Sequence, residues 1–245
     1  MKEFDISNKN LVTLVGIYIP PNVKRLYCHN NQLTDLQGCP RNVRELHCNN
    51  NLLTSLSGCP PNVKILLCGD NQLTSLSGCP PNVQELHCNN NFLTDLKGCS
   101  PNVKGLYCPL NRLTSLSGCP PNVKGLYCYY NFLTNLQCCP LGVQELCCSD
   151  NQLTNLYGCP PNVRGLYFDN NPLDAEYLGK TFEEIHEINK LKAYRKGIIK
   201  LDAIIFPTVI QRWWKYHYYD KLNSGGLSLF CLRSINEDKR FGIIN

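Results

Sequence analysis

The sequence predicts a solenoid: short parallel strands stacked rung on rung, joined by extended returns and closed at the C-terminal end by an α-helical cap. Three observations predict it. One stretch, Leu26 to Pro40 (L-Y-C-H-N-N-Q-L-T-D-L-Q-G-C-P), recurs with small edits as far as Leu146 to Pro160. Its interval is a constant 20 residues, held without insertion from Cys28 to Cys148 and from Asn31 to Asn171. A strict period of this length marks supersecondary units that bury their faces against one another. Within each copy, apolar and polar residues alternate over a few positions only, as in Leu26-Tyr27-Cys28, which is the signature of a short strand.

Residues 1–22 read as a degenerate first repeat that serves as an N-terminal cap. Phe4, Ile6, Leu11 and Leu14 match the spacing of Leu26, Cys28, Leu33 and Leu36, with Lys9 where Asn is expected. The link to Val23 is two residues longer than in later copies and is filled by Ile17, Tyr18 and Ile19. Terminal repeats diverge because one of their faces lacks a neighbour.

Residues 23–173 form the solenoid proper, with the unit V-x-x-L-x-C-x-x-N-x-L-T-x-L-x-G-C-P-P-N. The Asn can bond backbone groups with its amide as the chain leaves the strand, and Thr34 and its equivalents can do so with a hydroxyl. Gly38 permits the next turn. Pro40, and in later copies a second proline such as Pro61 or Pro81, holds the return in an extended, polyproline-like path. The segment Thr134 to Gly142 departs most: Cys138 replaces Gly, and Leu141-Gly142 replaces Pro-Asn. A locally altered turn is expected there, not a break.

Residues 174–245 are the helical C-terminal segment. Asp174 is the expected N-cap, and Tyr177 or Leu178, Phe182, Ile185, Ile188, Leu191 and Tyr194 follow at helical spacing. Pro207 suits the first turn of a second helix carrying Trp213 and Trp214.

The repeat resembles the leucine-rich repeat, whose core is L-x-x-L-x-L-x-x-N-x-L. Val23, Leu26, Cys28, Asn31 and Leu33 occupy those positions, and the match recurs from Val43 to Val163, with Cys at the third leucine position except at Phe168. The 20-residue length, with L-T-x-L and a Pro-rich return, is similar to the short repeats of bacterial secreted effectors. The Cys-Pro-Pro-Asn-Val return resembles repeat proteins of giant amoeba-infecting viruses. The resemblance implies a leucine-rich-repeat solenoid with its strands on the concave face, and a concave face that docks a protein partner. Some bacterial proteins with such repeats also carry a ubiquitin-ligase domain with a catalytic Cys. Here Cys231 is the cysteine of the tail and lacks an acidic residue two places on.

Composition narrows the function classes. Formal net charge is +5, from 24 Lys and Arg against 19 Asp and Glu, and the charges are scattered, which makes no strong case for nucleic acid. No apolar run reaches the roughly 18–20 residues of a membrane span, and the acidic start is not a secretory signal. The expectation is an intracellular protein, in host cytoplasm or the virion if the viral resemblance holds. The chain has 17 cysteines, 14 of them in two ladders, Cys28 to Cys148 and Cys39 to Cys159. Ladder neighbours lie side by side about 4.7–4.9 Å apart, which strains a disulfide, so the expectation is reduced, buried thiols. Pairing between ladders within a rung, Cys28 with Cys39, is left open by the spacing. C-x-x-C is absent, and neither a metal nor another cofactor is expected.

The outward strand positions are the candidate binding residues: Tyr27, His47, His87, Tyr107, Tyr127 and Tyr167, with Leu110, Tyr129 and Tyr130 beside them. Tyrosine offers large contact area at small entropic cost and keeps a polar tip. The densest group, Tyr107, Leu110, Tyr127, Tyr129 and Tyr130, is the expected hot spot, with Gly105 and Gly125 leaving space beside it. His47 and His87 are two rungs apart, about 9–10 Å by strand spacing, too far to share one ion. Glu45 and Glu85 accompany them, but no nucleophile or pocket is implied, so no catalytic residue is assigned and the chain reads as a non-enzymatic interaction protein. Lys24, Arg44, Lys64, Lys104, Lys124 and Arg164 form a basic column. The alternative functional surface is the tail, a regulatory adaptor in which Ile210, Gln211, Trp213 and Trp214 bind a calmodulin-like or other helix-binding protein. Ile210 to Lys215 resembles the first half of an IQ motif, departing at Lys215 and Tyr216. Self-association is left open.

Overall fold

The computed structural model describes residues 2–195. The second helix expected after Pro207, and with it Ile210, Gln211, Trp213 and Trp214, lies outside the described residues. Within them, nine three-residue strands form one parallel sheet in chain order. They are β1 (Glu3–Asp5), β2 (Arg25–Tyr27), β3 (Glu45–His47), β4 (Ile65–Leu67), β5 (Glu85–His87), β6 (Gly105–Tyr107), β7 (Gly125–Tyr127), β8 (Glu145–Cys147) and β9 (Gly165–Tyr167). The register follows the repeat: Leu26 stands beside Leu46, and Tyr107 beside Tyr127. Phe4 stands beside Leu26, so the first repeat enters the sheet in phase despite its longer link.

Each strand is short because the chain bends at both of its ends. Before the strand, the Lys24 carbonyl accepts from two N–H groups of the next rung, Arg44 at 2.8 Å and Glu45 at 3.0 Å, and later rungs repeat this. After the strand, the Cys28 N–H donates to the His47 carbonyl at 2.9 Å. Inside the coil, Val43, Leu46, Cys48, Leu53 and Leu56 and their equivalents from Leu26 to Leu156 are inaccessible to solvent, and the files they form make one continuous core. The cysteines among the described residues are free thiols; those of the first ladder are fully buried, and those of the second are partly buried except Cys139, which is buried. Burial pushes their pKa values up, to about 12 at Cys39, Cys119 and Cys159, and further along the first ladder. Cysteine here acts as a small apolar residue.

The asparagine that ends each strand locks one rung to the next, and it uses its whole amide to do so. Asn51 Nδ2 donates to the Cys28 carbonyl of the preceding rung and to the Cys48 carbonyl of its own, both at 3.1 Å. Its Oδ1 accepts from the Leu33 N–H at 2.9 Å. Asn71, Asn91, Asn111, Asn131 and Asn151 repeat the pattern at 4–7% exposure, so these are buried polar groups with their partners built in. At the following turn, the acceptor is the residue after the threonine. Asp35 Oδ1 accepts from the Gln37 N–H at 2.8 Å, and Asp95 and Asn135 do likewise, where the sequence pointed to Thr34. A two-residue step suits the short Asx side chain. Cys138 keeps the turn that glycine makes elsewhere, at φ +66° against +82° to +92° at the glycines from Gly38 to Gly158.

At the C-terminal end, Asp174 opens only one 3-10 turn, Ala175–Tyr177, and its side chain makes no cap bond. Gly179, at φ +66°, then redirects the chain. The helix proper, α1 (Phe182–Arg195), starts instead at Thr181 with a capping box. The Glu184 N–H donates to Thr181 Oγ1 at 3.3 Å, and the Thr181 N–H to Glu184 Oε2 at 3.0 Å. Tyr177 and Ile185 are buried over the last rung. Between them, Tyr177 Oη donates to Asn189 Oδ1 at 3.0 Å and Asn189 Nδ2 to the Leu156 carbonyl at 2.7 Å. No described helix is long and apolar enough to cross a membrane.

Candidate protein-binding face

Residues 25 and 27 of the unit point to the outer face of the sheet because the residue between them, Leu26 or its equivalent, points inward. In-phase register then puts Tyr27, His47, His87, Tyr107, Tyr127 and Tyr167 in one file. His87, Tyr107 and Tyr127 form a continuous ring stack, with centroids 4.1 and 4.5 Å apart and planes within 12° and 3°. Tyr27 and His47 meet at 4.6 Å with a 54° tilt. Tyr167 stands apart beyond Cys147, at 58% exposure. The glycines do not leave space beside the tyrosines. Each tyrosine ring covers the glycine of its own strand: a Cβ on Gly125 would sit 3.1 Å from Tyr127 Cε2, and one on Gly105 3.5 Å from Tyr107 Cε2.

Charged groups fix the ends of this file. Glu45 forms ion pairs with Arg25, whose Nε lies 2.7 Å away, and with His47 Nε2 at 2.8 Å. Burial pushes the Glu45 carboxyl up, but its bonds to His47 and Arg25 outweigh this and hold its pKa below the usual carboxylate value. Tyr127 Oη donates to the Glu145 carboxylate, a bond that together with partial desolvation holds the phenol well above its ordinary pKa. His87 pairs with Glu85 at 2.8 Å. These acid–histidine pairs lie on an open sheet. Among the described residues, no three His, Cys, Asp or Glu side chains are grouped so as to hold a metal ion.

The lip of the sheet, where the chain turns away, carries the least expected feature. Asn30, Asn50, Asp70, Asn90, Asp150 and Asn170 have left-handed backbones, with φ of +50° to +56°. Asn and Asp tolerate that region. Their side chains also bond along the column, Asn50 to Asn30 and Asn90 to Asp70 at 2.7 Å and Asn170 to Asp150 at 2.9 Å. Leu110 and Tyr130 occupy the same position at φ +55° and +52°, with the same strained backbone, no amide to join the ladder, and half of each side chain in solvent. Tyr129 meets Tyr130 edge-on at 5.8 Å.

Two residues positions further on, a column that the sequence reading passed over is apolar in alternate rungs. Leu52, Phe92 and Phe132 are 41–47% exposed, with Gln72 and Arg112 between them. The Arg112 guanidinium lies 4.5 Å over the Phe92 ring. Averaging over rungs hides this column; a two-rung alternation is the signal that reveals it.

No protein-family profile and no curated protein matches the sequence. Solved structures do match the fold. It is similar to YopM from Yersinia enterocolitica, with 28% identity, a TM-score of 0.61, and 68% of this chain and 37% of that chain covered. YopM from Yersinia pestis, described as a leucine-rich effector protein, gives 28% identity and a TM-score of 0.55 over 69% of this chain and 49% of that chain. A leucine-rich-repeat protein of Leptospira interrogans shares the fold at 20% identity and a TM-score of 0.56, over 77% of this chain and 58% of that chain. The chain therefore has the leucine-rich-repeat fold, and it spans about a third to three-fifths of the length of these proteins.

Proposed function

We propose that the chain is a non-enzymatic scaffold that binds a protein partner on the outer, concave face of its repeats, centred on Tyr107, Leu110, Tyr127, Tyr129 and Tyr130. Phe92 and Phe132 extend that surface over the lip. The observation that carries this reading is the pair Leu110 and Tyr130. A left-handed backbone costs an ordinary L-residue roughly 1–2 kcal/mol, and half-burial of such a side chain returns only about 1 kcal/mol. The fold gains nothing from the two substitutions, and such outliers cluster where a surface does something else. The stacked tyrosines beside them are already ordered, so a partner that covers them loses little further side-chain entropy. The similarity to a leucine-rich effector protein agrees with a role in binding.

The test is the variant Leu110→Asn/Tyr130→Asn. It should keep the stability of the parent within about 1 kcal/mol, by the cancellation above, and lose the proteins that the parent captures in a lysate pull-down. A second variant, Tyr107→Ala/Tyr127→Ala, should lose the same proteins. Unchanged capture by both variants would remove this face from consideration.

A further inference from the structure

We propose that the basic edge of the solenoid is a second docking surface, and that its occupant is an extended, carboxylate-rich segment of another protein. This goes beyond the tyrosine face and does not depend on it. Lys24, Arg44, Lys64, Lys104, Lys124 and Arg164 stand at the bend before each strand, in one file set by the register of the sheet. Successive rungs are about 4.7–4.9 Å apart. Arg25, Lys97, Lys180, Lys190 and Lys192 all pair with acids of this chain. Among the described residues, none of the six edge cations does, and from Arg44 onward all are exposed. Their charge is left for something outside the chain.

One rung gives the edge a recess. Elsewhere along it, Asn42, Asn82 and Asn122 fill the space between rungs, each donating to the carbonyl of the proline one rung earlier at 2.9–3.1 Å. Gly142 has no such side chain, and Lys124 Nζ bends toward it to donate to its carbonyl at 3.3 Å. What remains is a recess of about 450 Å³ lined by Lys124, Gly142, Gln144, Asn162 and Arg164. Leu141, 72% exposed, follows the same departure from the repeat. The recess offers two cations and two side-chain amides, which is chemistry for a carboxylate; the exposed leucine offers an apolar neighbour. Lys124 and Arg164 are two rungs apart, about 9–10 Å, a span that three residues of extended peptide cover at about 3.3 Å each.

Other polyanions fit less well. Single-stranded nucleic acid is held by aromatic rings that stack on bases, and the residues flanking the cations here are valines and glycines with Arg25, Glu45 and Ile65, none of them aromatic. Anionic bilayers favour basic surfaces backed by a broad apolar face, and this edge carries asparagine and proline.

Fluorescence anisotropy with a labelled oligoglutamate peptide containing one leucine tests the proposal on the full chain, with a single-stranded RNA and phosphatidylserine vesicles in parallel. The peptide should bind saturably and release with salt. Lys104→Gln/Lys124→Gln/Arg164→Gln should bind it about tenfold more weakly, as expected for the loss of three exposed ion pairs. The single change Lys124→Glu should act in the same direction, and Leu110→Asn/Tyr130→Asn should bind as the parent does. No saturable peptide binding would overturn the proposal. So would equal binding by the triple variant, or tighter binding of RNA or vesicles than of peptide. Failure of the tyrosine face would leave all these readings unchanged.

Discussion

Replacing Asn91 by alanine probes the bond network that turns separate rungs into one body. Asn91 is 4% exposed. Its Oδ1 receives the Leu73 N–H at 2.9 Å, and its Nδ2 donates to the carbonyls of Cys68 and Cys88 at 3.1 and 3.2 Å. The two carbonyls each keep a second donor, Asn71 for Cys68 and Asn111 for Cys88. The Leu73 N–H keeps none. An orphaned buried donor costs about 1–3 kcal/mol, and each of the lost amide–carbonyl bonds about 0.5–1.5 kcal/mol. The sum is roughly 2–6 kcal/mol, concentrated at one rung boundary. Urea denaturation followed by circular dichroism measures the total. Native-state thiol labelling of Cys68 and Cys88 locates it, because a loosened rung admits the reagent. Repeat arrays melt by coupled units, so the transition should broaden as well as shift. A loss under about 0.5 kcal/mol, with Cys68 and Cys88 still protected, would refute the view that this ladder holds the stack together.

The thiol ladders predict alkaline instability. Burial raises the folded-state pKa of Cys39, Cys119 and Cys159 to about 12, while the unfolded thiol titrates near 8.5. Between those values the unfolded chain binds fewer protons than the folded one, so stability present below about pH 8.5 falls as pH rises, by up to about 1.4 kcal/mol per pH unit for each such thiol. Urea midpoints in degassed buffer should hold from pH 7 to about pH 8 and then fall increasingly toward pH 10; a flat profile to pH 10 would contradict the buried-thiol core. At the turns, Gly118→Ala should destabilise far more than Gly16→Ala. Both have φ of +82°, but a Cβ on Gly118 would sit 2.5 Å from the Lys97 backbone N while one on Gly16 meets nothing within 4 Å. Equal melting temperatures for the two variants would show that the rungs shift apart freely.

The solenoid and its register were legible in the sequence because a strict period leaves the chain a single in-phase way to stack. Val23, Leu26, Cys28, Leu33 and Leu36 declare the inside, and the in-phase strands Glu45–His47 and Ile65–Leu67 follow from the interval. The file of Tyr27, His47, His87, Tyr107, Tyr127 and Tyr167 was legible for the same reason. Other features depend on where the backbone points, which the repeat does not write. Tyrosine rings cover Gly105 and Gly125 because side chains two apart on a strand share a face. Asp35 rather than Thr34 closes the turn because its shorter reach fits the N–H two residues on. At the C-terminal end, Asp174 and Thr181 are both good cap residues by type. The reciprocal bond with Glu184 and the break at Gly179 selected Thr181. Leu110 and Tyr130 are ordinary letters in the sequence. Their position in a left-handed column otherwise held by Asn and Asp, half exposed, emerges only once the rungs are stacked. Repetition alone determined the inside of this protein; the backbone angle at each turn decided what its surface presents.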